Sequence, residues 1–124
     1  LTDIFVFGSN LSGVHGKGAA RDAYLSHGAR YYQAQGLQGR SYAIPTRGKW
    51  IPESRTFHDL SFEKVKRYIA EFVMFAHINP HLRFNMTRVG CGNAGFTDTQ
   101  IAPLFKDAPS NVVLPKEWET HAGR

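Results

Sequence analysis

The chain has a single cysteine, Cys91. No internal disulfide is possible, so a core must hold the fold, and a reducing, cytoplasmic compartment is the simpler expectation. No cysteine–histidine cluster has zinc spacing, and the six histidines are scattered; neither a metal nor another cofactor is expected. No apolar run approaches the roughly 20 residues of a membrane-spanning helix. No signal peptide is visible in the residues given, so no membrane partner is expected. Internal repeats and low-complexity tracts are missing too. The net charge is +5, yet the lysines and arginines form no basic block. That charge favours anionic ligands through long-range attraction. Without a basic block or an aromatic-rich RNA motif, nucleic acid is not the expected partner.

The chain's 124 residues suit one domain, able to bury roughly two-thirds of its unfolded surface. The expected organisation is a single domain over 1–124, with a core at about 4–115 and a C-terminal tail at 116–124. Ile4, Phe5, Val6 and Phe7 form a continuous apolar run ending at Gly8, which reads as a strand of a parallel sheet. Residues 8–18 are a glycine-rich loop. Residues 19–27 read as a helix with Ala20, Ala23 and Tyr24 on one side, stopped by Gly28. Residues 35–39 look like a turn and residues 41–44 like a second strand. Residues 45–59 read as a long loop carrying Arg47, Lys49, Trp50, Arg55 and His58; loops of that length are uncommon unless functional or disordered.

The next helix is the best signalled. Ser61 can cap it, Leu60 and Val65 are placed as a hydrophobic staple, and Phe62, Val65, Ile69, Phe72, Val73 and Ala76 recur at helical spacing. Asn79 and Pro80 end it. Residues 84–89 form a third strand, followed by a loop over 90–96. Thr97 and Gln100 make a capping-box pattern, and Pro103 predicts a kink or late start. Residues 111–114 form a fourth strand. Strands alternating with helices argue an α/β fold with a mostly parallel sheet.

Two loops carry the chemistry. The first contains Gly8, Ser9, Asn10, Gly13, His15, Gly16, Lys17 and Gly18 between a strand and a helix N-terminus. Free N–H groups and the helix dipole attract phosphate there, and glycines let the backbone come close. Its spacing is neither that of a Walker A loop nor that of the dinucleotide G-x-G-x-x-G motif. The second loop, Gly90-Cys91-Gly92-Asn93-Ala94-Gly95-Phe96, again joins strand to helix. In a parallel sheet both loops lie at the carboxyl ends of strands, where ligands bind. Phe96 has two readings, stacking on a base or ribose, or packing on the third helix. His15 reads either as a phosphate donor or general base, or as a solvated loop residue. Lys17 at a helix start suits an anion, and Cys91 suits a small buried thiol better than a nucleophile. Asp98 suits the third helix's start and is the carboxylate nearest the second loop.

The order Ile-Phe-Val-Phe-Gly-Ser-Asn, glycine-rich loop, alanine-rich helix, then Arg-Val-Gly-Cys-Gly-Asn-Ala-Gly-Phe resembles the macro domain family over residues 4–115. It looks closest to compact phage and bacterial members and to the branch of terminal ADP-ribose protein glycohydrolases. The resemblance implies a minimal macro-type three-layer α/β/α domain that binds ADP-ribose or an ADP-ribosylated substrate. It implies that Asn10 meets the distal ribose, that residues 13–18 wrap the diphosphate, and that residues 90–96 close over it. Some members hydrolyse the ribosyl bond. Their aspartates fall at Ala20 and Ala94 here, so binding is better supported than catalysis. If there is turnover, His15, Lys49 and Asp98 are the candidate groups. The alternative is a module that reads or sequesters a nucleotide signal without turnover.

Overall fold

A computed structural model of the chain describes residues 1–120. The elements are β1 (Thr2–Asn10), α1 (Gly18–Ser26), β2 (Gly36–Gln38), β3 (Ser41–Ile51), β4 (Thr56–Asp59), α2 (Phe62–Ile78), β5 (Leu82–Met86), α3 (Asp98–Ile101) and β6 (Val112–Val113). The strands make one mixed sheet in the order β2-β3-β1-β5-β6, with β4 also on β3. β3, β1, β5 and β6 run parallel, while β2 and β4 are antiparallel to β3. The fold is therefore α/β with a mostly parallel sheet, as the alternating pattern implies.

The period-two alternation of strands splits the apolar side chains between two faces. On β1, Ile4 and Val6 join the larger core, where Val65, Ile69, Phe72 and Ala76 of α2 cover the sheet. Phe5 and Phe7 join the smaller core against Ala20 and Ala23 of α1. Helices thus cover both faces, in three layers. Phe72 is the centre of the larger core: its ring meets Tyr42, Phe84 and Phe105. Truncating such a residue to alanine typically costs about 3–5 kcal/mol. α2 starts as its sequence implies. The Ser61 hydroxyl accepts from the Lys64 N–H at 3.2 Å, and Leu60 and Val65 are both buried in that core. The Thr97–Gln100 capping box forms. α3 then runs only four residues before a 3-10 turn over Ala102–Phe105, where Pro103 tightens the chain.

Three sequence expectations need correction. Residues 35–39 contain strand β2 rather than a turn alone; the reversal is confined to Gly39 and Arg40, with Gly39 at φ +59°. Residues 45–59 are not a loop but the rest of β3, a short turn and β4. Proline normally ends a central strand, but the register shifts just past the Ser9–Pro45 pair, and proline is tolerated at such a bulge. The tail is not free of the core: residues 116–118 form a 3-10 turn whose Trp118 is fully buried and stacked on Phe105. Residues 121–124, also expected in the tail, lie outside the described residues.

Candidate functional site

After β1 the chain crosses by α1 to reach β2 and β3 on one side. After β3 it returns through β4 and α2 to β5 on the other side of β1. The connections diverge between the carboxyl ends of β1 and β5, the kind of place where open α/β sheets leave a crevice for ligands. A cleft of about 1290 Å³ opens there. Its walls are the β1–α1 loop, the loop after β5 and the β3–β4 hairpin. Lys17, Arg47, Lys49, Arg55 and Arg88 line it, and none of its described lining residues is a carboxylate. A cleft lined by one sign of charge concentrates ligands of the other sign.

The β1–α1 loop is held by its own hydrogen bonds. The Asn10 carboxamide donates to the Val14 carbonyl at 2.8 Å and accepts from the Val14 N–H at 3.1 Å. The Ser9 hydroxyl donates to the Ala34 carbonyl at 2.5 Å. Gly13 sits at φ +67°, and a Cβ there would lie 2.6 Å from the Tyr32 Cα; it is a packing glycine, not part of the cleft wall. α1 then starts at Lys17 without a side-chain cap and without an acid in its first turn. Lys17, Gly18, Ala19 and Ala20 line the cleft. The Lys17 side chain makes no capping hydrogen bond to the N–H groups of this helix start, and together with the helix dipole those groups suit an anion. Gly16 and Gly18 lie beside open space: a Cβ on Gly16 would approach nothing closer than the Val14 Cγ1 at 3.9 Å, and one on Gly18 nothing within 4 Å.

The loop after β5 is held by charge. Arg88 makes a two-pronged pair with Asp98, at 3.0 Å through Nε and 2.6 Å through Nη2, and the Trp118 Nε1–H donates to the same carboxylate at 2.7 Å. The Arg88 hydrogen bond first, and Trp118 second, hold the Asp98 carboxyl far below its usual range. Gly90, at φ +78°, accepts through its carbonyl from the Phe96 N–H at 3.0 Å and closes the loop. Gly90, Gly92, Asn93 and Ala94 face the cleft, and a Cβ on Gly92 would meet nothing within 4 Å.

Of the other sequence-expected residues, Gly8, Ser9, Asn10 and Lys49 also line the cleft, whereas Gly95, Cys91, Phe96, Asp98 and His15 do not. His15 is fully buried: its Nε2 lies 2.8 Å from the Arg30 carbonyl, and its ring packs edge-on against Phe7. The loop turns this side chain into the fold and away from the cleft lining, which is at odds with the expected proton-transfer role. Asp98 is engaged by Arg88 and Trp118, which leaves it an anchor for the loop. Cys91 is half-buried; burial, and then Asp98, push its thiol up to about 11, which keeps it protonated and unreactive. The Phe96 ring packs on Phe62 of α2, outside the cleft lining, so this aromatic serves packing and α2 is its ring partner.

Sequence reasoning left Tyr32, Thr46, Phe57 and Arg88 out of the candidate site, yet all four line the cleft. Arg88 immediately precedes the second glycine loop, which is a signal that could have found it. The position of Tyr32 depends on a tertiary contact with Gly13 and leaves no local mark. Among the described residues no group of three or more histidine, cysteine, aspartate or glutamate side chains could hold a metal. No helix among them is long and apolar enough to cross a membrane.

Neither a protein-family model nor a curated protein matches the chain. Among solved structures, it is similar to a protein of unknown function from Bacteroides thetaiotaomicron, with 18% identity and a TM-score of 0.51, over 86% of this chain and 79% of that one. At that identity the likeness speaks to the fold alone.

Proposed function

We propose that the cleft binds ADP-ribose or a related ADP-ribosyl nucleotide. The observation that carries this reading is the charge of the cleft: five cationic side chains and no carboxylate among its described lining residues, around an uncapped helix start. That arrangement suits a diphosphate. The resemblance of both glycine loops to those of the macro domain family selects ADP-ribose among diphosphates. Ala20 and Ala94 line the cleft where hydrolytic relatives place aspartates. The cleft's titratable side chains suit holding an anion more than moving a proton, which favours a module that reads or sequesters the nucleotide.

Calorimetric titration with ADP-ribose, AMP and NAD tests the proposal, followed by a product assay on an ADP-ribosylated substrate. ADP-ribose should bind with the highest affinity of the three and raise the melting temperature; at 100 times its dissociation constant it stabilises by about 2.7 kcal/mol. Affinity should fall as salt rises. No heat and no thermal shift at millimolar ADP-ribose would overturn the proposal.

A further inference from the structure

The glycine loops and cations suit the phosphates, but the same cleft also carries two exposed aromatic rings. Tyr32 is 84% exposed and Trp50 42%, and both line the cleft. They are tethered to consecutive residues of the phosphate-facing loop. The Tyr32 N–H donates to the Gly13 carbonyl at 2.7 Å, and the Trp50 N–H donates to the Ser12 hydroxyl at 2.9 Å. Each ring touches a second aromatic: Tyr32 meets Tyr31 at 6.0 Å, and Trp50 meets Phe57 edge-on at 5.0 Å. Tyr32 also holds a left-handed backbone, φ +69°, which is rare and strained for a bulky side chain. The close Gly13 contact fixes it there. A strained backbone that presents an almost bare ring to a cleft has no use in the core. A cation lies alongside: the Arg47 guanidinium sits 5.4 Å from the centre of the Phe57 ring, and its buried Nε has no hydrogen-bond partner among the described residues.

We infer that Trp50 and Tyr32 form a base-binding subsite, so that the ligand must carry a planar heterocycle as well as its phosphates. This rests on the nucleotide reading and deepens it. The base stacks at the aromatic wall, and the diphosphate runs to the starts of α1 and the loop after β5. Stacking on an aromatic face tolerates any base but needs one, so ribose 5-phosphate and pyrophosphate are poor ligands.

Trp50 provides its own reporter. Of the two tryptophans, Trp118 is fully buried and Trp50 is half-exposed. ADP-ribose should change the intrinsic tryptophan fluorescence of the full chain, and the change should vanish in Trp50→Ala. In calorimetry, Trp50→Ala should lower ADP-ribose affinity by about 10- to 100-fold and collapse the preference for ADP-ribose over ribose 5-phosphate. Trp50→Phe should restore most of that preference. Tyr32→Ala should act in the same direction, with circular dichroism and melting curves confirming that each variant is folded. ADP-ribose binding that is unchanged in both alanine variants overturns the aromatic subsite alone. A wild-type protein that binds no ADP-ribose overturns the nucleotide reading along with it.

Discussion

α1 and α2 begin in opposite ways. α2 has a serine cap, Leu60 and Val65 buried in one core at the two staple positions, and Glu63 in its first turn. Each of these satisfies a free N–H, buries apolar surface or complements the helix dipole. α1 begins on Lys17, has no side-chain cap and no acid in its first turn, and enters its first turn through Gly18 at φ +56°. A lysine is the wrong charge for a helix N-terminus unless an anion sits there. α2 packs on the larger core and none of its residues lines the cleft; the first turn of α1 is part of the cleft wall. The helix start left without a cap is the one placed where a ligand could supply it.

Substitutions at the open glycines test that contrast most severely. Gly16→Val and Gly92→Val each place a branched side chain in open space inside or beside the cleft. The fold should be retained and ADP-ribose affinity should drop by about 100-fold, or ~2.7 kcal/mol. Gly13→Val should do the reverse, because its Cβ collides with the Tyr32 backbone: it should unfold the domain before binding can be measured. Normal calorimetric binding by Gly16→Val or Gly92→Val would remove that loop from the site. A smaller effect is expected from Lys17→Glu. Affinity should fall about tenfold at low salt, while the melting temperature holds or rises, since a carboxylate near a helix start stabilises by about 0.3–1 kcal/mol. Ser61→Ala is the counterpart on α2. It should destabilise by about 1 kcal/mol and leave ADP-ribose affinity unchanged. Equal effects of Lys17→Glu and Ser61→Ala on affinity would erase the distinction between the two helix starts.

Elements with a local cause were legible in the sequence. The α2 cap, its staple and its helical period need only neighbouring residues, as does the Thr97–Gln100 capping box. The glycine loops were found for the same reason. The β3–β4 hairpin was hidden because Pro45 and Gly48 look like breakers. Pro45 is accommodated by the shifted register against β1, and Gly48 is required because a Cβ there would lie 2.7 Å from the His58 Cβ. Both causes lie on another strand. The same limit applies to side-chain direction. His15 and Gly16 are adjacent in one loop, yet His15 is fully buried while Gly16 is exposed, and nothing local decides which residue turns inward. Tyr32 is set by a contact across the fold, with Gly13.

The smallest effect expected concerns the other loop of the cleft and is read against pH. Asp98 ties the loop after β5 to Trp118 through Arg88 and the indole N–H. Its folded carboxyl is held far below the ordinary range, whereas in the unfolded chain it returns to about 3.9. A depressed folded value means that the folded state favours the ionised form. The stabilisation is therefore complete above the unfolded value and is lost as pH falls below it. Asp3 behaves in the same sense, held down to about 2 by Arg83 and then Asn85, so a single acid titration cannot separate the two. The difference between wild type and Asp98→Asn can, because Asp3 is common to both. Melting curves should show wild type ahead of Asp98→Asn near pH 7, by a modest margin because the Arg88–Asp98 pair is part-exposed and solvent screens it. The gap should close as the pH falls from about 4 toward the folded value. A gap that stays constant over that range would mean that the Asp98 charge is not what holds the loop. Any residual effect of the substitution would then come from the changed hydrogen bond to Trp118.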